Sequence, residues 1–130
     1  MAATRRTLLL AVTLAGLAIV GTTCWWRSFG PLRFDAGRWH ESGLAVSGAD
    51  RDRLRMAASL VASRELIGLP GVDVTRQLGT PADAVRTGFP ATSMVYRLGP
   101  ADTYMPIDPA FLELRMDAGG RVTEARIVTG

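Results

Sequence analysis

Glycine and proline punctuate residues 66–128 so regularly that few folds remain open to this stretch. A turn at Gly68-Leu69-Pro70-Gly71 leads into a short segment that stops at Leu78-Gly79-Thr80-Pro81. Proline suits the first turn of a helix, where its missing N–H needs no partner, and glycine with proline just beyond it is a common stop. The spacing predicts a short helix beginning at Pro70, with Val74 and Leu78 on one face. Farther along, Met94-Val95-Tyr96-Arg97-Leu98 alternates as a strand, Met94, Tyr96 and Leu98 facing one way. Residues 111–116 alternate again: Leu112, Leu114 and Met116 on one side, Glu113 and Arg115 on the other. Asp117-Ala118-Gly119-Gly120 supplies the positive-φ positions of a hairpin turn. Residues 121–128 read as the returning strand, with Ala125 and Ile127 toward the core and Glu124 and Arg126 toward solvent.

A longer helix precedes this stretch. Ser47-Gly48-Ala49-Asp50 matches a helix start, a hydroxyl at the cap with a carboxylate three residues on, and Asp50 and Asp52 suit the positive end of the helix dipole. Leu54, Ala57, Ala58 and Val61 follow at helical spacing, with Met56 and Leu60 widening the apolar stripe. The pattern predicts a helix from about Ala49 to Leu66, ended by Gly68. Two helices joined by so tight a turn form a helical hairpin. The apolar face of the sheet must be covered, so the expected class is α+β: a helical hairpin packed on a three-stranded antiparallel sheet (α-α-β-β-β) over residues 49–130. The segments 82–92 and 99–109 read as loops, the second holding three prolines.

The N-terminus is of a different kind. Residues 7–26 carry no charge after Arg5-Arg6. As a helix they extend about 30 Å at roughly 1.5 Å per residue, the thickness of a bilayer's hydrocarbon core. Trp25 and Trp26 then stand where interfacial aromatics belong, ahead of Arg27. Three readings of residues 1–27 fit. An uncleaved anchor suits the length and the tryptophans. A cleaved export signal could use the small residues of Gly16-Leu17-Ala18. Lipidation at Cys24 is the third: Gly21-Thr22-Thr23-Cys24 has the position of a bacterial lipobox but Gly at −3 and Thr at −1, against Cys24 as a small apolar residue of a membrane helix. Arg5-Arg6 before an apolar run also resembles a twin-arginine export signal. All three readings carry the domain out of the cytoplasm, and the expected topology is N-terminus inside, domain in the periplasm. Residues 28–48, rich in Gly and Ser without a sustained period, read as a linker. The single His of the chain lies there in Trp39-His40-Glu41, as a partly exposed linker residue beside an anchoring Trp. It has no companion at metal-ligand spacing.

Charge and chemistry narrow the function. Of the net charge of +3 on 130 residues, Arg5 and Arg6 supply +2, leaving 13 Arg against 12 Asp and Glu. Arg51, Arg53 and Arg55 are interrupted by Asp50 and Asp52, so no basic patch marks a nucleic-acid surface. One Cys excludes an intramolecular disulfide and a cysteine-rich zinc site. There is no serine with a credible base, no metal cluster and no phosphate loop, and Asp102 and Asp108 have nothing that makes them converge. The expectation is a non-enzymatic protein with no catalytic, cofactor-binding or metal residues. Tyr104 and Met105 in the proline-rich loop are the candidate partner contacts, aromatic residues being enriched at interface centres. A loop folded back over the sheet edge is the structural alternative for the same pair.

Taken together, Arg53-Leu54-Arg55-Met56, Leu66-Ile67-Gly68 with Val74 and Leu78-Gly79-Thr80-Pro81, Tyr96-Arg97-Leu98-Gly99, and residues 111–127 with Asp117, Gly120, Arg121 and Val122 form an ordered set over about 75 residues. In order and spacing this set resembles the SmpA/OmlA domain of the small lipoprotein subunit of the outer-membrane β-barrel assembly machinery. Pro70 stands where that family carries a hydroxyl cap. The resemblance implies a membrane-tethered envelope protein that assists outer-membrane protein assembly through protein–protein contact. An alternative is a periplasmic ligand- or protein-binding module, since β-lactamase inhibitor protein repeats share the α-α-β-β-β unit.

Overall fold

The computed structural model describes residues 30–42, 51–100 and 108–130. The apolar segment 7–26 with Cys24, the Ser47 cap and the loop holding Tyr104 and Met105 lie outside the described residues. Among the described residues no helix is long and apolar enough to cross a membrane.

A compact unit spans Leu32–Gly130. It comprises three helices, α1 (Ala36–Ser42), α2 (Asp52–Ser63) and α3 (Gly71–Leu78), and three strands, β1 (Ser93–Pro100), β2 (Pro109–Met116) and β3 (Val122–Thr129). The strands form one antiparallel sheet in the order β1-β2-β3. The α+β class follows from these elements, with one more helix than the expected pair.

That extra helix lies in the described part, residues 30–42, of the stretch read from sequence as a linker. Asp35 starts α1: its carboxylate accepts the Arg38 N–H at 2.8 Å and its carbonyl the Trp39 N–H at 2.9 Å. Trp39 has no exposed surface and joins the central core, flanked by Phe34 and Tyr96 at ring-centroid distances of 5.9 and 6.4 Å. Rather than sitting in a tether, it plugs the domain. Seven residues make two turns, too few for a hydrophobic period to show.

Met56, Ala57 and Leu60 are the buried stripe of α2. The helix stops at Arg64, which takes the left-handed conformation at φ 58°, short of the Leu66 end expected from the pattern. Gly68, at φ 85°, turns the chain after it. In α3, Val74 and Leu78 are buried as their spacing requires. Helix α2 packs on β1 and β3, and α1 packs against both α2 and α3.

The sheet carries apolar residues on both faces. Tyr96, Leu98, Ala110, Leu112 and Leu114 point to the helices and form the main core with Trp39, Met56, Leu60, Val74 and Leu78. On the opposite face Val95 and Phe111 meet Ala84 and Phe89, the two Phe rings lying edge-on at 5.5 Å. Segment 82–92 therefore packs onto the sheet; alternation in the strands gives no sign of that second cluster. The β2–β3 turn closes as expected, with the Asp117 carboxylate accepting the Arg121 N–H at 2.9 Å. Gly120 supplies its one positive φ, 75°.

Candidate contact surface

Two features of the described residues hold chemistry at or near the surface. One is on the outer sheet face, where register sets Val95, Glu113 and Arg126 side by side across the three strands. The sequence pattern puts Glu113 on this face, and there it is: but it is fully buried. Its cover is thin, consisting in part of the Arg115 and Arg126 side chains, which remain 46% and 44% exposed. Arg126 Nε donates to Glu113 Oε2 at 2.6 Å, and Ser93 Oγ donates to Oε1 at 3.0 Å. Arg115 Nε lies 3.6 Å from Oε1 and its other end reaches Glu124 at 3.4 Å.

Burial by itself pushes the Glu113 carboxyl up. Hydrogen bonds from Arg126 and Ser93, with the charges of Arg126 and Arg115, outweigh it and hold the carboxyl below its ordinary range. A carboxylate so stabilised is a poor base for the Ser93 hydroxyl beside it. The arrangement orders a polar surface of Arg115, Glu124 and Arg126 over an ionised anchor. No buried side-chain polar atom among the described residues lacks a hydrogen-bond partner.

The second feature is a groove of about 310 Å³ between the end of α2 and β3. Val61, Ala62, Ile67 and Ala125 supply its apolar lining, and Arg64, Thr123 and Glu124 complete the rim. Arg64 reaches this position through the left-handed turn that ends α2.

The helices behind these surfaces are fastened by side chains bonded to helix-end carbonyls. Trp39 Nε1 donates to Leu78 O at 3.0 Å, and Tyr96 Oη donates to Gly79 O at 3.0 Å. Arg53 Nε donates to Trp39 O at 3.1 Å, its guanidinium carbon standing 4.7 Å from the Trp39 ring centroid. Partial burial pulls the Arg53 pKa below its ordinary value, although a guanidinium stays charged. His40 packs its ring beside Gly79.

Cys24, Tyr104 and Met105, the residues singled out from sequence for lipidation and contact, lie outside the described residues. Among the described residues no group of three His, Cys, Asp or Glu side chains is placed to hold a metal ion. Sequence reasoning missed Ser93, the burial of Glu113 and the groove. Opposite charges at Glu113 and Arg126 across a short hairpin are the one signal that could have pointed to the first site. No protein-family model, curated protein or solved structure matches this chain.

Proposed function

We propose that this chain is a non-enzymatic, membrane-tethered protein of the bacterial cell envelope that acts by protein–protein contact, in the manner of outer-membrane assembly factors with an SmpA/OmlA domain. The observation that carries the reading is the division of the sheet. One face is occupied by helices, while the other presents Arg115, Glu124 and Arg126 as an ordered, ion-paired array. Such a surface suits docking, since charged groups in fixed register give specificity and steer encounter. The apolar segment 7–26 supports the tether and the envelope location. In this reading residues 49–130 are the SmpA/OmlA-like unit, and Tyr104 and Met105 belong to its contact surface.

Affinity purification from detergent-solubilised envelope tests the proposal. Copurification of a barrel-assembly complex is the expected result, and recovery of one soluble partner would favour the inhibitor-like module instead. A cytoplasmic location in fractionation, with no envelope partner, would sink both. Palmitate labelling of wild type against Cys24→Ala separates the modes of attachment, loss of label in the variant marking lipidation in place of an uncleaved helix.

A further inference from the structure

The two edges of the sheet are finished differently. Successive residues of an antiparallel strand aim their backbone N–H and C=O alternately toward the partner strand and away from it. On β1 the outward set includes Ser93, Val95 and Arg97, and each is engaged. Ser93 N–H donates to Pro90 O at 2.9 Å, Val95 C=O accepts from Ala82 N–H at 2.7 Å, and Arg97 C=O accepts from Arg53 Nη1 at 3.0 Å.

The edge at β3 is sealed only at its start. Val122 N–H donates to Leu69 O at 3.0 Å and Val122 C=O accepts from Gly68 N–H at 2.7 Å. A register shift follows between Arg115 and Met116 of the facing strand. At the far end Gly130 N–H donates inward, to Pro109 O at 3.1 Å. Counting back by alternation from Gly130, the outward residues are Thr129, Ile127 and Ala125. Among the described residues nothing bonds to their outward N–H and C=O groups. An open run of this kind is a template for another strand.

The groove lies along the start of this open run. Its apolar lining includes Ala125 itself, and Arg64 stands in its wall without an ion pair among the described residues. The carboxylate of Glu124 is turned to the outer sheet face, where Arg115 engages it at 3.4 Å. The groove thus offers an apolar recess and one uncompensated positive charge. Both lie beside Ala125, at the start of the open run.

We propose that the Ala125, Ile127 and Thr129 edge of β3 binds an extended segment of a partner protein as a fourth strand, with an apolar side chain in the groove and an acidic one on Arg64. Backbone bonds to the edge supply affinity, and the recess and Arg64 supply selectivity. This names the partner chemistry for the contact function proposed above and rests on that reading.

The test is amide hydrogen exchange by NMR on the full chain in detergent micelles, with the blocked peptide acetyl-Thr-Val-Thr-Glu-Thr-Val-Thr-amide as probe. In the free protein the amides of Ala125, Ile127 and Thr129 exchange quickly. They slow on addition of the peptide, by about tenfold at a concentration ten times its Kd. Arg64→Glu weakens the Glu peptide by about tenfold, the scale of one charge reversal, and strengthens a peptide carrying Lys in its place. Protection of these three amides in the free protein, no change with millimolar peptide, or equal affinity for the Glu and Lys peptides would each overturn the site. Protection that rises with protein concentration alone would give the edge to a second copy and overturn the partner segment. If the peptide leaves the edge untouched while an envelope partner is still captured, the edge fails and the contact reading stands. Peptide protection with no envelope partner captured fails the envelope reading and leaves the edge intact.

Discussion

The indole N–H of Trp39 donates a 3.0 Å hydrogen bond to the carbonyl of Leu78, the last residue of α3. Carbonyls in the final turn of a helix have no partner within it, and a buried indole N–H needs an acceptor. One bond meets both needs and ties α1 to α3. Arg53 then holds the carbonyl of Trp39 itself at 3.1 Å, linking α2 to the same point.

Removing that plug should be severe. Trp39→Ala is expected to destabilise the domain by about 3–5 kcal/mol, the usual cost of emptying a buried aromatic site. For the same reason a chain lacking residues 1–48 is expected to lose cooperative unfolding, whereas one lacking residues 1–29 keeps it. Thermal melts followed by circular dichroism check this. A sharp transition in the shorter chain would show that α1 is dispensable.

Tyr96 gives the domain an alkaline limit. Burial, partly opposed by a hydrogen bond with Thr75, pushes its phenol up to about 12. The unfolded phenol ionises near ~10, so the folded state keeps its proton where the unfolded state loses it. This contribution to stability is full below that lower value and is lost as pH rises toward the folded one. Urea titrations across that window should show falling stability in wild type. Tyr96→Phe should flatten the fall while costing about 1 kcal/mol at neutral pH, through the unmatched Gly79 carbonyl.

Glu113 sets the corresponding acid limit, with the opposite sign. Its carboxyl is held below the ordinary range, so its contribution is present above the unfolded value and disappears as pH falls through the folded one. Arg126→Ala is expected to cost about 3 kcal/mol at neutral pH, because it leaves a buried carboxylate short of its nearest cation. Pairing that change with Glu113→Leu should recover most of the loss, since apolar replacement of both partners removes the charge that needed company. Equal stability of the single and double variants in urea would contradict this account.

Gly79 is held at φ 87° and ψ −166°, a conformation open almost solely to glycine. A Cβ there would also stand 3.1 Å from His40 Cε1. Gly79→Ala should therefore cost about 2 kcal/mol. Adding His40→Ala relieves the contact but not the backbone, so the double variant should remain well below wild-type stability in the same melts.

Period and punctuation made the strands and α3 legible. Tyr96 and Leu98, Leu112 and Leu114, and Val74 and Leu78 all point to the core as their spacing demands. Elements shorter than a readable period were not legible. In α1 a single fully buried residue, Trp39, does the packing, and one residue has no periodicity. Alternation placed Glu113 on the outer face but could not reveal that Ser93 and Arg126 would close around it, because that depends on pairing across strands. The groove and the open edge of β3 depend on where α2 stops, and Arg64 in a left-handed turn is an unusual stop for a sequence pattern to anticipate.

The position of α1 also bears on how the chain comes to be folded. It leaves the ribosome before the three segments that receive it, those of Arg53, Leu78 and Tyr96. A domain assembled from its first-made end would complete α1 early, but here α1, the first helix among the described residues, must wait for α3 and for β1. Until then Trp39 is an exposed indole on a nascent chain. If the chain is exported as proposed, machinery that keeps polypeptides unfolded during passage would meet little resistance from it, and the final docking of α1 would fall after the whole chain has been delivered.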